Sequence, residues 1–433
     1  MSFSDKVLGF GAFPNRGVPA TPIDIDQSLM FEPNAHLDND PWKANTGNRK
    51  TWTYSVWVKR SKINASNSQD IFMAYDNSTE DDSTWFSIYF RGTNTTFPDA
   101  LSISGWSTNW RITTRRFRDP SAWYHIVVAV DTTQATGSDR IKVYINGVQE
   151  TSFESPSDPS LNADLGINKA QYHMLGVPNY SGSTSYFSGY MAEAHFIDGT
   201  PKEASDFGMT NEDTNQWVPI EYTGGSYGTN GFYLKFVSGA IGTDSSGNGN
   251  NWDINNIGNE DVLTDTPTSN FPILSWITEA GATITEGGLR KQSHDQALPT
   301  FYLSSGKWYC EVATLSGSSS GSTFNYAFYV YDTKPGAKLD SWSNNHVNFT
   351  WGNGGYVTDG FDIYHQGNGT ITQPTGSRPF AVAVVGIAID VDNGNVEYYI
   401  NGTLNGKVLG ITNWTKPYRV ALAYASSTIP VAS

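Results

Sequence analysis

Glu80 with Asp82, and Asp390 with Asp392, stand at the spacing that a sugar-cleaving strand would use. Alternate residues of a strand face the same way, so carboxylates at i and i+2 converge on one substrate. A hydrolytic strand extends the series to three acids, as E-x-D-x-E or E-x-D-x-x-E, and neither pattern occurs. Glu80 and Asp82 fall in the acidic loop 77–82, and Asp390 and Asp392 flank a strand end and a turn, where Asp is a turn former. The seven histidines, His36, His125, His173, His195, His294, His346 and His365, make no H-x-x-x-H or His-Cys metal pair. His125, beside Trp123 in an apolar run, reads as structural. The single cysteine, Cys310, lies in the strand-like KWYCEV at 307–312 and reads as a buried thiol. There is no G-x-S-x-G elbow and no phosphate loop. These patterns point away from an enzyme, and a triad assembled from distant positions is the route left open.

Rings among amides and hydroxyls suggest a different chemistry. A sugar asks for an exposed aromatic face beside hydrogen-bonding groups. Trp106 and Trp110 lie in SGWSTNW at 104–110; Trp342 lies in SWSNN, and Trp351 and Tyr356 lie in WGNGGY. These five are the candidate platforms, with core packing or subunit contact as the plain alternative for each. Asp244, Asn248 and Asn250 share one compact loop and could offer calcium hard oxygen ligands. That loop has one carboxylate, so a hydrogen-bonded turn is the stronger reading and no cofactor is required. N-x-S/T sequons, including Asn64, Asn94 and Asn368, arise readily in a chain so rich in Asn, Ser and Thr.

The elements that must position these residues are strands. The chain has 433 residues, enough for two or three domains. Charged residues make up 16%, against about 25% in an average soluble protein. The remainder suits short strands joined by turns rather than long helices. A net charge of −15 argues for solubility and against binding nucleic acid. One cysteine allows no internal disulfide. No run is long and apolar enough for a membrane helix, and the N-terminus shows no signal peptide pattern, so synthesis in a cytoplasm is expected.

Alternation places the strands. In 53–59 (TYSVWVK), Tyr54, Val56 and Val58 share one face and Thr53, Ser55 and Lys59 the other, with Trp57 the exception. The run 126–130 (IVVAV) ends at Asp131, and 142–145 (KVYI) enters Asn146-Gly147, the strongest short hairpin signal. The second half repeats this logic: 380–389 ends at Asp390, and 396–400 (VEYYI) enters Asn401-Gly402. The predicted fold is all-β, with two antiparallel jelly-roll sandwiches in tandem. Residues 1–25 read as an extended arm, 26–210 as the first sandwich, 211–270 as a connector with a short strand and polar loops, and 271–433 as the second sandwich.

Several segments of the first half resemble the laminin-G-like, concanavalin A-like lectin superfamily: 28–31 (SLMF), 54–59 (YSVWVK), 123–128 (WYHIVV), 143–147 (VYING) and 187–196 (FSGYMAEAHF). Their order and spacing agree over about 180 residues. In the second half, 303–312 (LSSGKWYCEV), 385–390 (VGIAID) and 396–402 (VEYYING) are similar to strands of SPRY-type sandwiches. The connector, 244–252 through 265–270, resembles segments that join such sandwiches in tailed-phage virion proteins, many of them marine.

These resemblances imply a non-catalytic virion component: a tail fibre, an appendage or a capsid decoration. Its expected partners are other virion proteins, a host-surface glycan and further copies of the chain, with a trimer one arrangement, and neither nucleic acid nor membrane insertion. A purely structural virion role and a polysaccharide-degrading enzyme are the alternatives.

Overall fold

A computed structural model describes residues 21–39, 46–76, 80–176, 185–275, 284–291, 298–300, 302–313, 324–332, 346–352, 360–365, 369–373, 384–412 and 416–426; in part of the second half it gives strand backbones only. Among the described residues, regular structure is all strand and short 3-10 turn. The first sandwich is built from β1 (Ser28–Phe31), β2 (His36–Asn39), β3 (Thr51–Arg60), β4 (Gln69–Tyr75), β5 (Phe86–Phe90), β6 (Leu101–Ser104), β7 (Asn109–Ile112), β8 (Trp123–Asp131), β9 (Ile141–Ile145), β10 (Val148–Gln149), β11 (Tyr172–Leu175), β12 (Gly189–Asp198), β13 (Gly208–Thr210), β14 (Trp217–Pro219), β15 (Phe232–Leu234), β16 (Asp253–Asn255) and β17 (Val262–Leu263). One sheet runs β10-β9-β8-β3-β12-β1-β17, with β15 also on β12. The other, seven-stranded, runs β16-β2-β11-β4-β5-β6-β7.

The inner faces follow from alternation. Tyr54, Val56 and Val58 of β3 meet Phe72 of β4, Phe86, Ile88 and Phe90 of β5, and Leu101 and Ile103 of β6 in one buried core. Asn146 (φ 48°) and Gly147 (φ 81°) form the predicted two-residue hairpin, joining Ile145 to Val148. A Cβ on Gly147 would lie 2.3 Å from the Trp217 ring, so the turn needs glycine for space as well as for φ.

The connector reading is corrected. The segment 211–270 is woven into the first sandwich: β15 pairs with β12, β16 with β2, and β17 with β1. β15 is the short strand expected in this segment; β16 and β17, of three and two residues, are too short for alternation to register. The arm boundary also moves, because Ile25 is buried and Ile23 N donates to Pro219 O at 3.0 Å. Residues 1–20 of the expected arm lie outside the described residues.

Trp57 shows that β3 is covered on both faces. It belongs to the outer set, yet it is buried and stacked on His125 at 4.8 Å. The outer face of this sheet is roofed by the chain's own segments, around Phe207, Trp217, Tyr222 and Tyr227 on one side and around Asp265 and Ile273 on the other. Lys59 anchors the second part of the roof. Its ammonium, 0% exposed, donates to Asp265 Oδ2 (2.7 Å), Asn270 Oδ1 (2.8 Å) and Phe271 O (2.6 Å). Asp265 Oδ1 also accepts Trp123 Nε1 at 3.1 Å and Phe271 N at 3.2 Å. Burial pulls the Lys59 pKa down and Asp265 opposes it.

Beyond this anchor lie the short ribbons β18 (Leu274–Ser275) with β21 (Leu298–Pro299) and β19 (Ile284–Thr285) with β20 (Arg290–Lys291). The second half adds β22 (Lys307–Ala313), β23 (Phe324–Asp332), β24 (His346–Gly352), β25 (Gly360–His365), β26 (Thr370–Thr372), β27 (Val384–Asp390), β28 (Asn395–Ile400), β29 (Thr403–Leu409) and β30 (Tyr418–Ser426). A sheet β22-β27-β28-β29-β26 faces a sheet β25-β24-β23-β30 across Val385, Ile387, Ile389, Val396, Tyr398, Val330 and Tyr418. Asn401 (φ 47°) and Gly402 (φ 79°) close the second predicted hairpin.

Replacing Lys59 by Met leaves Asp265 buried without its counter-charge. The expected loss in urea denaturation is about 3–5 kcal/mol. The double variant Lys59→Met/Asp265→Leu is expected to recover part of it, and a single variant as stable as wild type would remove the anchor from the account.

Candidate functional site

The other outer face, that of the seven-stranded sheet, is built differently. On β5, Phe86, Ile88 and Phe90 point into the core, so Ser87 and Tyr89 point out, and Arg91 continues that row. On β6, Leu101 and Ile103 point in, while Ser102 and Ser104 point out. Ser87 stands opposite Ser104, and Tyr89 opposite Ser102. The serines are buried and form a low floor; Tyr89 and Arg91 are half-buried, and Asn109 is exposed at the rim. Ser104 Oγ donates to Asn109 Oδ1 at 2.8 Å, and Ser102 Oγ is 2.9 Å from Ser104 Oγ. Arg91 Nη1 donates to Tyr89 Oη (3.3 Å) and Asn109 Oδ1 (3.4 Å), and Nε to Thr96 O (2.7 Å).

Aromatic rings close one end of this trough. Trp106, 44% exposed, meets Trp85 edge-on at 5.1 Å and 65°, and Trp85 meets Tyr75 at 5.3 Å and 80°. Met73 and Met174 lie beneath them with Tyr172 alongside. The turn carrying Trp106 is pinned from outside the hairpin: Asp82 accepts Ser107 N at 2.9 Å and Thr108 Oγ1 at 2.6 Å. Gly105 is required there, since a Cβ would come 2.4 Å from Asp82 Oδ1 and 2.7 Å from the Trp110 ring. Asp82 thus holds a ring in place, and the acidic loop finds its use in a turn.

Of the five candidate rings, Trp106 alone is shown exposed. Trp110 is corrected: it is 2% exposed and packs inward on Phe86 at 5.2 Å. Asn109 stands opposite outward-facing Ser104, so alternation sends the next ring, Trp110, to the core. Trp342 and Tyr356 lie outside the described residues, as does the side chain of Trp351 on β24. Trp85, Tyr89, Arg91 and Asn109 were not singled out from sequence. The alternation of FSIYF at 86–90 carried the signal, because its polar members define an outward row.

Asp244, Asn248 and Asn250 come together, and their geometry is that of a closed turn. Asp244 Oδ1 accepts Tyr233 N (2.9 Å) and Ser246 N (2.8 Å); Oδ2 accepts Ser246 Oγ (2.8 Å) and Asn250 N (2.7 Å). The Asn248 and Asn250 amides both donate to Gly231 O. A carboxylate surrounded by four protein donors is not arranged as a ligand for calcium. Among the described residues no cluster of three His, Cys, Asp or Glu side chains could hold a metal. Asp390 is likewise a turn residue: Asn393 donates to it from side chain (2.8 Å) and backbone (3.1 Å), which holds its carboxyl below the usual range.

One arrangement resembles a nucleophile with its base. His125 Nε2 lies 2.8 Å from Ser55 Oγ under the roof, and Trp217 Nε1 donates to Nδ1 at 3.0 Å. An indole N–H only donates, so Nδ1 carries no proton, and Nε2 must donate to the serine. The imidazole cannot then take the serine proton, and burial pushes His125 down to about 3. Glu193, at a bulge in β12 with φ 50°, accepts the Tyr233 phenol, whose ring stacks on His195 at 4.1 Å. Both groups are parts of the roofed face.

Asp70 is the buried acid of the open face. It stands opposite Tyr89 and accepts the Ser87 hydroxyl. Burial raises its pKa to about 7, against the lowering effect of Ser87. The folded state therefore keeps a proton that the unfolded chain gives up at its ordinary value of 3.8. The stability from that proton is fully present below about 4 and lost as pH rises through about 7. Asp70→Asn is expected to gain on wild type as pH climbs from 4 to 8, by up to about 4 kcal/mol. Buried His125 and His173, both pushed down to about 3, work in the opposite direction, but equally in both proteins. Urea denaturation across this range reads the difference; a constant gap would show that Asp70 is ionised throughout.

Residues 36–205 match the family model of the concanavalin A-like lectin/glucanase superfamily. No curated protein sequence matches the chain. Among solved structures, a putative carbohydrate binding protein from Bacteroides ovatus is similar at 15% identity and TM-score 0.37, over 56% of this chain and 61% of that one. Domains LG4-5 of the mouse laminin alpha1 chain are similar at 9% identity and TM-score 0.29, over 96% and 86%. The CBM40 of a Ruminococcus gnavus IT-sialidase, bound to α2,3 sialyllactose, is similar at 14% identity and TM-score 0.26, over 38% and 89%. The chain thus spans about three-fifths of the Bacteroides protein. The match over residues 36–205 and the two facing sheets agree on the fold of the first sandwich, a concanavalin A-like, laminin-G-like jelly roll.

Proposed function

We propose that the first sandwich binds a saccharide in the trough on the outer face of its seven-stranded sheet, and releases it unchanged. The observation that carries this is Trp106, exposed, braced edge-on by Trp85, at the end of a floor of serines rimmed by Tyr89, Asn109 and Arg91. Pyranose rings present C–H faces to aromatic rings and hydroxyls to amides and guanidinium groups, and the trough offers both kinds of partner. Along β5 from Phe86 to Arg91 it extends roughly 17 Å, at about 3.3 Å per residue, which suits two or three sugar units. The lectin-like fold agrees with this reading. Binding without turnover is favoured by the Ser55–His125 tautomer and by the turn roles of Asp82 and Asp390.

The wider role proposed is at the surface of a virus particle, as fibre, appendage or capsid decoration, with the saccharide on the host. Its support is the resemblance of 244–252 and 265–270 to segments in tailed-phage virion proteins. Mass spectrometry of purified particles tests it, and absence of the chain would reject it.

A glycan array tests the binding itself. Wild type is expected to give signal that Trp106→Ala and Trp85→Ala each reduce at least about tenfold, the size of one stacking contact of about 1.4 kcal/mol or more. Trp106→Ala should leave the melting temperature unchanged, because that ring is exposed. An array silent for wild type would favour a purely architectural role, and new reducing ends from a polysaccharide would restore the hydrolase.

A further inference from the structure

Resting on the saccharide reading above, we infer that the trough selects acidic saccharides, whose carboxylate or sulfate group is received by the Arg91 guanidinium and the Asn109 amide.

The reason lies in which donors the fold leaves unspent. Arg60, Arg111, Arg115, Arg116, Arg118 and Arg290 each meet a carboxylate at 2.7–3.1 Å. Arg140 spends all three nitrogens on the carbonyls of Gln134, Ala135 and Pro159, and Arg49 likewise donates to backbone carbonyls. Arg91 does neither. Its Nε is spent on Thr96 O, its Nη1 makes two long bonds to neutral acceptors, and its Nη2 donates to no described residue. No ion pair reaches it among the described residues, although the chain carries a net charge of −15.

Asn109 supplies the second donor. Its Oδ1 accepts Ser104 and Arg91, which fixes the amide so that Nδ2 faces away from both. That nitrogen has no partner among the described residues, and the side chain is exposed. The two groups are joined through the 3.4 Å contact, so their spare N–H donors lie side by side. A neutral sugar hydroxyl would use one such donor. A carboxylate or sulfate accepts several at once, and bonds to an ionised acceptor are about twice as strong. The planar guanidinium is the group suited to such anions.

Asp70 lies on the same face, across Tyr89. Its burial keeps it partly protonated near neutral pH, which lessens its repulsion of an anion. The overall negative charge is screened over about 8 Å at physiological salt, so local donors decide.

Isothermal calorimetry on the full chain tests this with four probes: a sulfated oligosaccharide, its desulfated form, a hexuronate oligosaccharide and its carboxyl-reduced form. Each acidic probe that fits is expected to bind about tenfold tighter than its neutral form in low salt. Arg91→Gln should bring that ratio close to one, and Arg91→Lys, which keeps charge without the fork, should give an intermediate ratio. A preference confined to one acidic probe tells sulfate from carboxylate. A wild-type ratio near one, or a preference that survives Arg91→Gln in a variant with unchanged melting temperature, overturns the inference. If Trp106-dependent binding persists in that case, the saccharide reading stands. If no probe binds, both fail together.

Discussion

The buried ammonium of Lys59 is the constraint on which the rest of this architecture turns. It lies on the outer face of a sheet, where a lysine normally points to water. Here it is surrounded by Asp265, Asn270 and the Phe271 carbonyl, all supplied by chain more than 200 residues further on. A charge taken out of water is tolerated only when each of its donors has a partner. Lys59 has three donors and three acceptors, so the returning segment is held at one position. Trp123 and Tyr190 pack around the same point, and Ile273 follows them into a small apolar cluster. The first sandwich is thereby completed by residues far outside the stretch that carries its family pattern.

This roof divides the labour between the two sheets. A sandwich has two outer faces, and one of these is consumed by the chain itself: His125, Trp57, His195 and Tyr190 all lie on it, and all are buried. Groups that look reactive in sequence are here engaged in packing and fixed hydrogen bonds. The other face keeps a shallow trough with small residues along its floor and taller groups along its rim. That asymmetry explains why the saccharide reading settles on Trp106 and Trp85 rather than on the richer aromatic set around Tyr222, Tyr227 and Tyr233. The latter rings face one another and leave little surface for a ligand.

The site is also dependent on contacts between distant loops. Asp82 holds the turn that presents Trp106, and Gly105 lets the two approach. A trough of this type, made of residues from β5, β6 and β7, is rigid because its floor belongs to the sheet ladder. Its rim donors, Arg91 and Asn109, are set by each other and by Tyr89.

The sequence by itself determined the fold class, the strand pairs around both Asn-Gly turns, and the inner face of β3. These rest on period-two alternation and on left-handed turn residues, both of which act over a few neighbouring positions. It also determined that Trp106 stands among polar residues. Only the tertiary structure decided that Trp110 turns inward, since that follows from the pairing of Asn109 with outward-facing Ser104 across two strands. The same holds for β16 and β17, each too short to show a period; the short strand at β15 was legible, and its pairing with β12 was not. Likewise, no local pattern could show that Lys59 and Asp265 meet, or that no carboxylate among the described residues pairs with Arg91. Such pairings depend on segments brought together by folding, and sequence spacing says nothing about them.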